Sequence, residues 1–160
     1  MRTIAKAMAL FLLFWSVSGQ AQDFQKGIEA YQQGDFETAL EEWRPLAEQG
    51  HADAQVSLGA MYHYGYGVPQ DYTEAAKWYR LAAEQGDVYA QFGLGVLYRD
   101  GTGVIQSYID AHMWFNIAAS AGNESAKGGR DRVATEMSQD ALVRAQRLAQ
   151  ECLERGYKDC

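Results

Sequence analysis

From about Phe24 onward, apolar and polar residues alternate along the chain with the period of a helix. Ala54, Leu58 and Tyr62 recur at every fourth residue, and Tyr72, Ala75, Ala76, Tyr79, Ala82 and Ala83 recur at intervals of three and four. Each run predicts a helix with one buried face. Gly50, Gly86 and Gly122 follow such runs, where a left-handed cap that glycine adopts cheaply would stop the helix. Gly59 and Gly95 instead fall inside helical runs. A glycine there costs about 1 kcal/mol relative to alanine, which is explained if a neighbouring helix packs closely against it.

The pattern repeats. Glu48-Gln49-Gly50-His51-Ala52-Asp53-Ala54-Gln55 returns 36 residues later as Glu84-Gln85-Gly86-Asp87-Val88-Tyr89-Ala90-Gln91. The same shift carries Leu58-Gly59 to Leu94-Gly95, Tyr62 to Tyr98, Gly65 and Gly67-Val68 to Gly101 and Gly103-Val104, Tyr72 to Tyr108, Ala75 to Ala111, and Trp78-Tyr79 to Trp114-Phe115. A third copy starts at Gly122-Asn123, but Arg130-Asp131 and Ala134 stand where Leu-Gly and Tyr are expected. Upstream, Gly34-Asp35-Phe36, Ala39, Trp43 and Ala47 keep the pattern of a second helix, without the glycine-containing loop of the later units.

One helical hairpin cannot bury both of its apolar faces, so neighbouring hairpins must stack. The predicted architecture is all-α: an α-solenoid of about eight helices in one domain, 22–160, with units of about 24–49, 50–85, 86–121 and 122–156. Ser138 to about Arg155, with Ala141, Leu142, Ala145, Leu148, Ala149 and Cys152 on one face, is expected to cap the array. Trp43, Trp78, Tyr79, Trp114 and Phe115 are assigned to core and inter-repeat packing.

In order and spacing, these residues resemble the Sel-one-like repeat family, a relative of the tetratricopeptide repeat. Its units read Gly-x-Ala-x-Ala-Gln, Leu-Gly, Tyr, Gly-x-Gly-Val, Asp, Ala, Trp-Tyr, Ala-Ala. Residues 50–85 and 86–121 match most fully, and with degenerate ends the resemblance covers about Phe24 to Gly156. It implies a superhelical scaffold for protein–protein contact, with bacterial members often exported and acting as adaptors or regulators. Cysteine-rich relatives are also linked to β-lactam binding. An alternative function is therefore a cell-wall-related hydrolase or ligand-binding protein, although this chain has one cysteine pair where those relatives carry one per repeat.

The first residues follow another pattern. Arg2 and Lys6 give a positive start, Ala7 to Trp15 an apolar run, and Gly19-Gln20-Ala21 a small-x-small exit, so 1–21 is expected to be a signal peptide. The apolar run is short for a membrane crossing of about 20 residues, and the mature protein is expected to be periplasmic or secreted, without stable membrane insertion. Removing 1–21 takes Lys and Arg from 14 to 12 against 21 Asp and Glu, and the net charge from −7 to −9. Such a chain repels phosphate backbones and anionic lipid heads, so nucleic acid is not an expected partner.

Catalytic signatures are missing. His51, His63 and His112 do not fall at metal-ligand spacing, no H-E-x-x-H, S-x-x-K or G-x-S-x-G occurs, and Gly65-Tyr66-Gly67-Val68 lacks the strand and lysine of a phosphate loop. No enzymatic activity, metal or cofactor is expected. Cys152 and Cys160 are the only cysteines. In an oxidising compartment such a pair is expected to form a disulfide, the alternative being two free thiols.

The expected partner is a protein or peptide, held on the inner face of the first helix of each unit. Asp53, Val56, Ala60 and His63 form a second stripe about 200° around from Ala54 and Leu58 at ~100° per residue. Their shifted equivalents are Tyr89, Phe92, Val96 and Arg99, and Tyr31 and Tyr64 also lie off the core stripe. Resemblance to tetratricopeptide repeats, whose first helices line the concave side, implies the same placement.

Overall fold

A computed structural model describes residues 23–160. The expected leader, 1–21, lies outside the described residues. Eight helices and no strand are present among the described residues: α1 (23–32), α2 (Phe36–Glu48), α3 (Ala52–Tyr64), α4 (Tyr72–Ala83), α5 (Val88–Asp100), α6 (Tyr108–Ser120), α7 (Glu124–Ala134) and α8 (Gln139–Glu154). A side chain caps each start from α2 onward: Asp35, His51, Asp71, Asp87, Ser107, Asn123 and Ser138 each accept from a backbone N–H in the first turn. Gly50, Gly86 and Gly122 take φ of 94°, 89° and 93°, as their positions after helix ends predict.

The odd and even helices have separate tasks. Odd helices carry small residues that receive aromatic side chains from even ones. A Cβ on Gly27 would lie 2.3 Å from the Trp43 indole, one on Gly59 2.6 Å from the Tyr79 ring, and one on Gly95 2.5 Å from Phe115. Two of these rings also reach into the next unit: Tyr79 lies against Gly93 and Phe115 against Gly129, where a Cβ would stand 2.9 and 3.0 Å away. Tyr79 and Phe115 are therefore clamped between successive odd helices, which explains why bare backbone is needed there.

Polar links repeat with the same shift. Gln55 and Gln91 are buried and donate to the Ala47 and Ala83 carbonyls at the end of the preceding helix. Arg44 donates to the Tyr62 hydroxyl and Arg80 to the Tyr98 hydroxyl, at 3.0 and 2.6 Å. The second glycine of each loop seats the loop on the unit before it. A Cβ on Gly67 would meet Phe36 at 2.8 Å, and one on Gly103 would meet the Tyr72 carbonyl oxygen at 2.2 Å.

The array ends irregularly. α7 packs on α6 and α5, but α8 lies along α6 instead of forming a regular hairpin with α7. Ala145, Ala149 and Cys152 are buried, and the last two join the core of Tyr79, Ala83, Leu94, Trp114 and Ile117. Cys152 and Cys160 form a disulfide with Cα atoms 5.4 Å apart. The loop it closes carries Tyr157, whose ring comes within 3.0 Å of where a Gly86 Cβ would be. The tail is thus fastened onto the turn between α4 and α5.

Candidate functional site

Successive odd helices touch: α3 contacts α5, and α5 contacts α7. The stripe expected to face a partner runs along these odd helices.

The stripe expected there divides into two sets. Val56, Ala60, Phe92 and Val96 are half-buried. Val56 packs on the core that contains Ala90 and Leu94, whereas Phe92 and Val96 pack on Phe115, Ala126 and Val133, with the Phe92 and Phe115 rings 5.8 Å apart. Val56, Phe92 and Val96 thus wedge between neighbouring helices. Asp53, Tyr64 and Tyr89 remain exposed, and the two tyrosines show 59% and 71% of their surface.

Tyr31, His63 and Arg99 occupy equivalent places in the last turn of α1, α3 and α5. Each faces the aromatic residue that opens the following even helix. Tyr31 and Phe36 are edge to face at 5.3 Å, and His63 and Tyr72 at 5.2 Å. Arg99 and Tyr108 share a shallow groove of about 440 Å³ with Asp100, Gln106, Arg132, Val133 and Glu136. Gln70 donates to the His63 carbonyl at 2.7 Å and Gln106 to the Arg99 carbonyl at 2.8 Å, so both loops hold the rim in one geometry.

The chemistry of that rim changes along the array. At the α1–α3 end, Tyr66 stacks on Phe36 at 4.9 Å with planes 10° apart, Tyr64 lies 5.5 Å from Tyr66, and Tyr31 meets Tyr66 at 6.1 Å. At the α5–α7 end, Arg99 pairs with Asp100 at 2.6 Å, and Arg130 with Asp131 at 2.8 Å. Tyr66, exposed in the loop after α3, lies outside the expected stripe. Its sequence signal lies in the failure of the repeat, because the shift carries Tyr64 to Asp100 and Tyr66 to Thr102, whereas the half-buried Phe36 is carried to the aromatic Tyr72.

Burial sets the protonation of the inner groups. His63 Nδ1 is buried without a hydrogen-bond partner, and desolvation holds its pKa below the ordinary histidine value, with Asp100 opposing. Tyr31 is raised by burial and by its neighbours Tyr66 and Tyr64. His51 caps α3, His63 closes it and His112 is buried in α6, so the three do not converge. Among the described residues no group of three His, Cys, Asp or Glu side chains is placed to hold a metal ion. No helix among them is long and apolar enough to cross a membrane.

Comparison with known proteins matches the Sel1 repeat model at residues 52–87 and 88–123. The architecture is similar to a protective antigen present in uropathogenic Escherichia coli strains that displays an SLR fold, with TM-score 0.81 and 29% identity over 86% of this chain and 31% of that one. It is also similar to a Sel1 repeat protein from Oxalobacter formigenes, with TM-score 0.66 and 31% identity over 85% of this chain and 58% of that one. Over 60 residues, 38% of this chain, it is 43% identical to an exopolysaccharide production negative regulator of Rhizobium leguminosarum bv. viciae. A protein of the same description from Rhizobium meliloti is 41% identical. The chain spans 22% of the length of these curated relatives.

Proposed function

Because the chain is a Sel1-repeat protein with an SLR-fold architecture, we propose that it is a binding scaffold, an adaptor or regulator that holds a peptide or protein partner on the inner face of its odd helices. The observation that carries this is the exposure of Tyr64 and Tyr89 on helices whose core stripe is already satisfied by Ala54, Leu58, Ala90 and Leu94. Exposed aromatics with a charged rim suit peptide capture, since a few such anchors supply most of a binding energy. Asp53 and Arg99 supply rim charge, and Tyr31, Val56, Ala60, His63, Phe92 and Val96 set the shape of the floor. The regulatory role of the two Rhizobium relatives supports the reading.

The place of action is proposed to be outside the cytoplasm. The charged and apolar start of the sequence supports it, and so does the Cys152–Cys160 disulfide, which persists in oxidising compartments. Intact-mass measurement on the extracytoplasmic fraction tests this; a mature chain beginning near Gln22 is expected, and full-length protein in the soluble cytoplasm would oppose it.

The binding surface is tested with Tyr64→Ser together with Tyr89→Ser, because both side chains are exposed and can be removed without touching the core. Crosslinked partner recovered in the native compartment should disappear while helicity and melting stay unchanged. Undiminished recovery would remove the inner face as the site. Phe92 is unsuitable for this test, since its ring packs on Phe115.

A further inference from the structure

We propose that the aromatic end of the inner face, built by Tyr31, Phe36, Tyr64 and Tyr66, takes a cationic peptide segment, with an arginine or lysine side chain stacked on the exposed Tyr64 ring, which Tyr66 and Phe36 back in a stack. This rests on the scaffold reading above and assigns the chemistry of the partner.

The first support is that the repeat does not require these rings. The equivalent positions in the next unit are Asp100 and Thr102, and that unit folds with the same glycine cap, the same loop and the same glutamine bond. Gly65 and Gly101 take φ of 73° and 67°, and Gln70 and Gln106 make matching bonds to the last-turn carbonyls. Packing accounts for Phe36 and Tyr31, which touch Trp43 or the loop, and Tyr66 stacks on Phe36, but the Tyr64 ring is left 59% exposed. Tyr64 and Tyr66 are additions that the next unit does without.

The second support is electrostatic. The face of an aromatic ring is negative, and a cation above it is attracted even at an exposed site. Among the described residues the cation–π contacts are those of Arg80 with Tyr98 and Trp114, so no cation of the chain itself lies on the Tyr64 ring, whose stacking partner is Tyr66. Charge is also divided along the molecule. Residues 23–85 carry 11 Asp and Glu against four Lys and Arg, net −7, whereas residues 86–160 carry ten against eight, net −2. The aromatic end thus lies in the acidic half. Asp35 adjoins Phe36, and Asp100 interacts with His63 beside Tyr64. A neutral sugar could stack on the same rings but would gain nothing from this field, and an anionic ligand would be repelled by it.

Ring resonances of tyrosine-labelled protein, recorded at low ionic strength, test the proposal with three probes: the capped peptide Arg-Gly-Arg-Gly-Arg, its glutamate counterpart, and maltohexaose. The arginine peptide should shift Tyr64 and Tyr66 saturably, and the other two should not. Tyr64→Ser with Tyr66→Thr should weaken the arginine peptide about ten-fold without lowering the melting temperature. If the double variant melts early, Tyr66→Thr alone, which installs the residue of the next unit, should still weaken binding about three-fold. Equal shifts with the glutamate peptide or the sugar, or unchanged affinity in the variants, would overturn the cationic assignment. Shifts at Tyr89 with Tyr64 and Tyr66 silent would also overturn it while leaving the inner face as the docking surface. Loss of the inner face itself would show instead as undiminished crosslinking in the Tyr64→Ser, Tyr89→Ser variant.

Discussion

Between the α3/α4 and α5/α6 hairpins, Arg80 of an even helix donates to Tyr98 of the next odd helix at 2.6 Å and lies over the Trp114 ring at 5.2 Å. Between α5/α6 and α7 the polarity is reversed: position 116 is Asn, position 134 is Ala, and Arg130 of the odd helix donates back to Asn116 at 3.3 Å. The aromatic clamp survives in both junctions, with Tyr79 between Gly59 and Gly93 and Phe115 between Gly95 and Gly129. The comparison separates two layers of the repeat. Close packing of a ring against bare backbone is retained to the end, because no side chain fits in its place. The polar links are replaceable, because a hydrogen bond can be made from either partner.

The largest effect should come from breaking the retained layer. Phe115→Ala empties a fully buried site touching α5 and α7 and should cost about 3–5 kcal/mol in urea unfolding. Overpacking sharpens the contrast between the two sides of the clamp. Gly95→Ala places a Cβ 2.5 Å from the ring and Gly129→Ala only 3.0 Å, so the first should cost about 2–3 kcal/mol and the second about 1 kcal/mol. A larger loss at Gly129 would show that α7 holds the ring more firmly than α5 does.

Next in size is the irregular end. Cys160→Ala opens the loop to Cys152, which the chain-entropy model values at up to ~2.6 kcal/mol. The loss should be local. Hydrogen exchange should rise through the last turns of α8 and at the α4–α5 turn under Tyr157, while the α2–α3 core keeps its protection. Uniform loss of protection would mean that the tail supports the whole array.

A smaller gain should come from restoring a lost polar link. The buried Gln55 Oε1 accepts from Gln85 at 2.7 Å, whereas the equivalent Gln91 Oε1 is buried without a partner because position 85 becomes Ala121. Ala121→Gln supplies the missing donor from an exposed position and should stabilise the protein by about 1 kcal/mol. Gln91→Leu in the same background should abolish that gain.

These contrasts also explain what the sequence made legible. Helix periods, glycine stops and the packing glycines follow from local spacing and the disulfide from an isolated cysteine pair, and all stand in the structure as expected. The site was harder to read. A helical stripe tells which residues point away from the core, but Val56 and Phe92 point away from their own core and into a neighbour's, a separation that only the stacking distance decides. His63 likewise sits on the stripe away from its own core yet packs beside Tyr72 and Tyr79. Tyr66 lies in a loop, where periodicity has no say. The departure at Arg130-Asp131 was visible as a defect, but not its replacement bond to Asn116, which joins residues 14 positions apart.

The smallest expected effect is a tilt of stability with pH, and it comes from the same departure. His112 takes the place of Ala76 in α6; it is buried, and its Nδ1 has no hydrogen-bond partner. Burial lowers its pKa, Arg130 lowers it further, and Asp131 opposes them. In the unfolded chain the group titrates near its ordinary value of about 6.5. Above that pH both states are neutral and the full stability is present. As pH falls through it, the unfolded chain binds the proton first and the fold loses free energy, by up to about 0.7 kcal/mol between pH 7 and 6 for one such histidine. His63 adds a loss of the same sign at the other junction, lowered by burial but opposed by Asp100. His112→Ala should therefore remove about half of the tilt measured in urea midpoints, and Arg130→Met should bring the His112 pKa back upward in an imidazole titration. A tilt unchanged by His112→Ala would place the proton elsewhere and leave the α6–α7 junction electrostatically equivalent to the one before it.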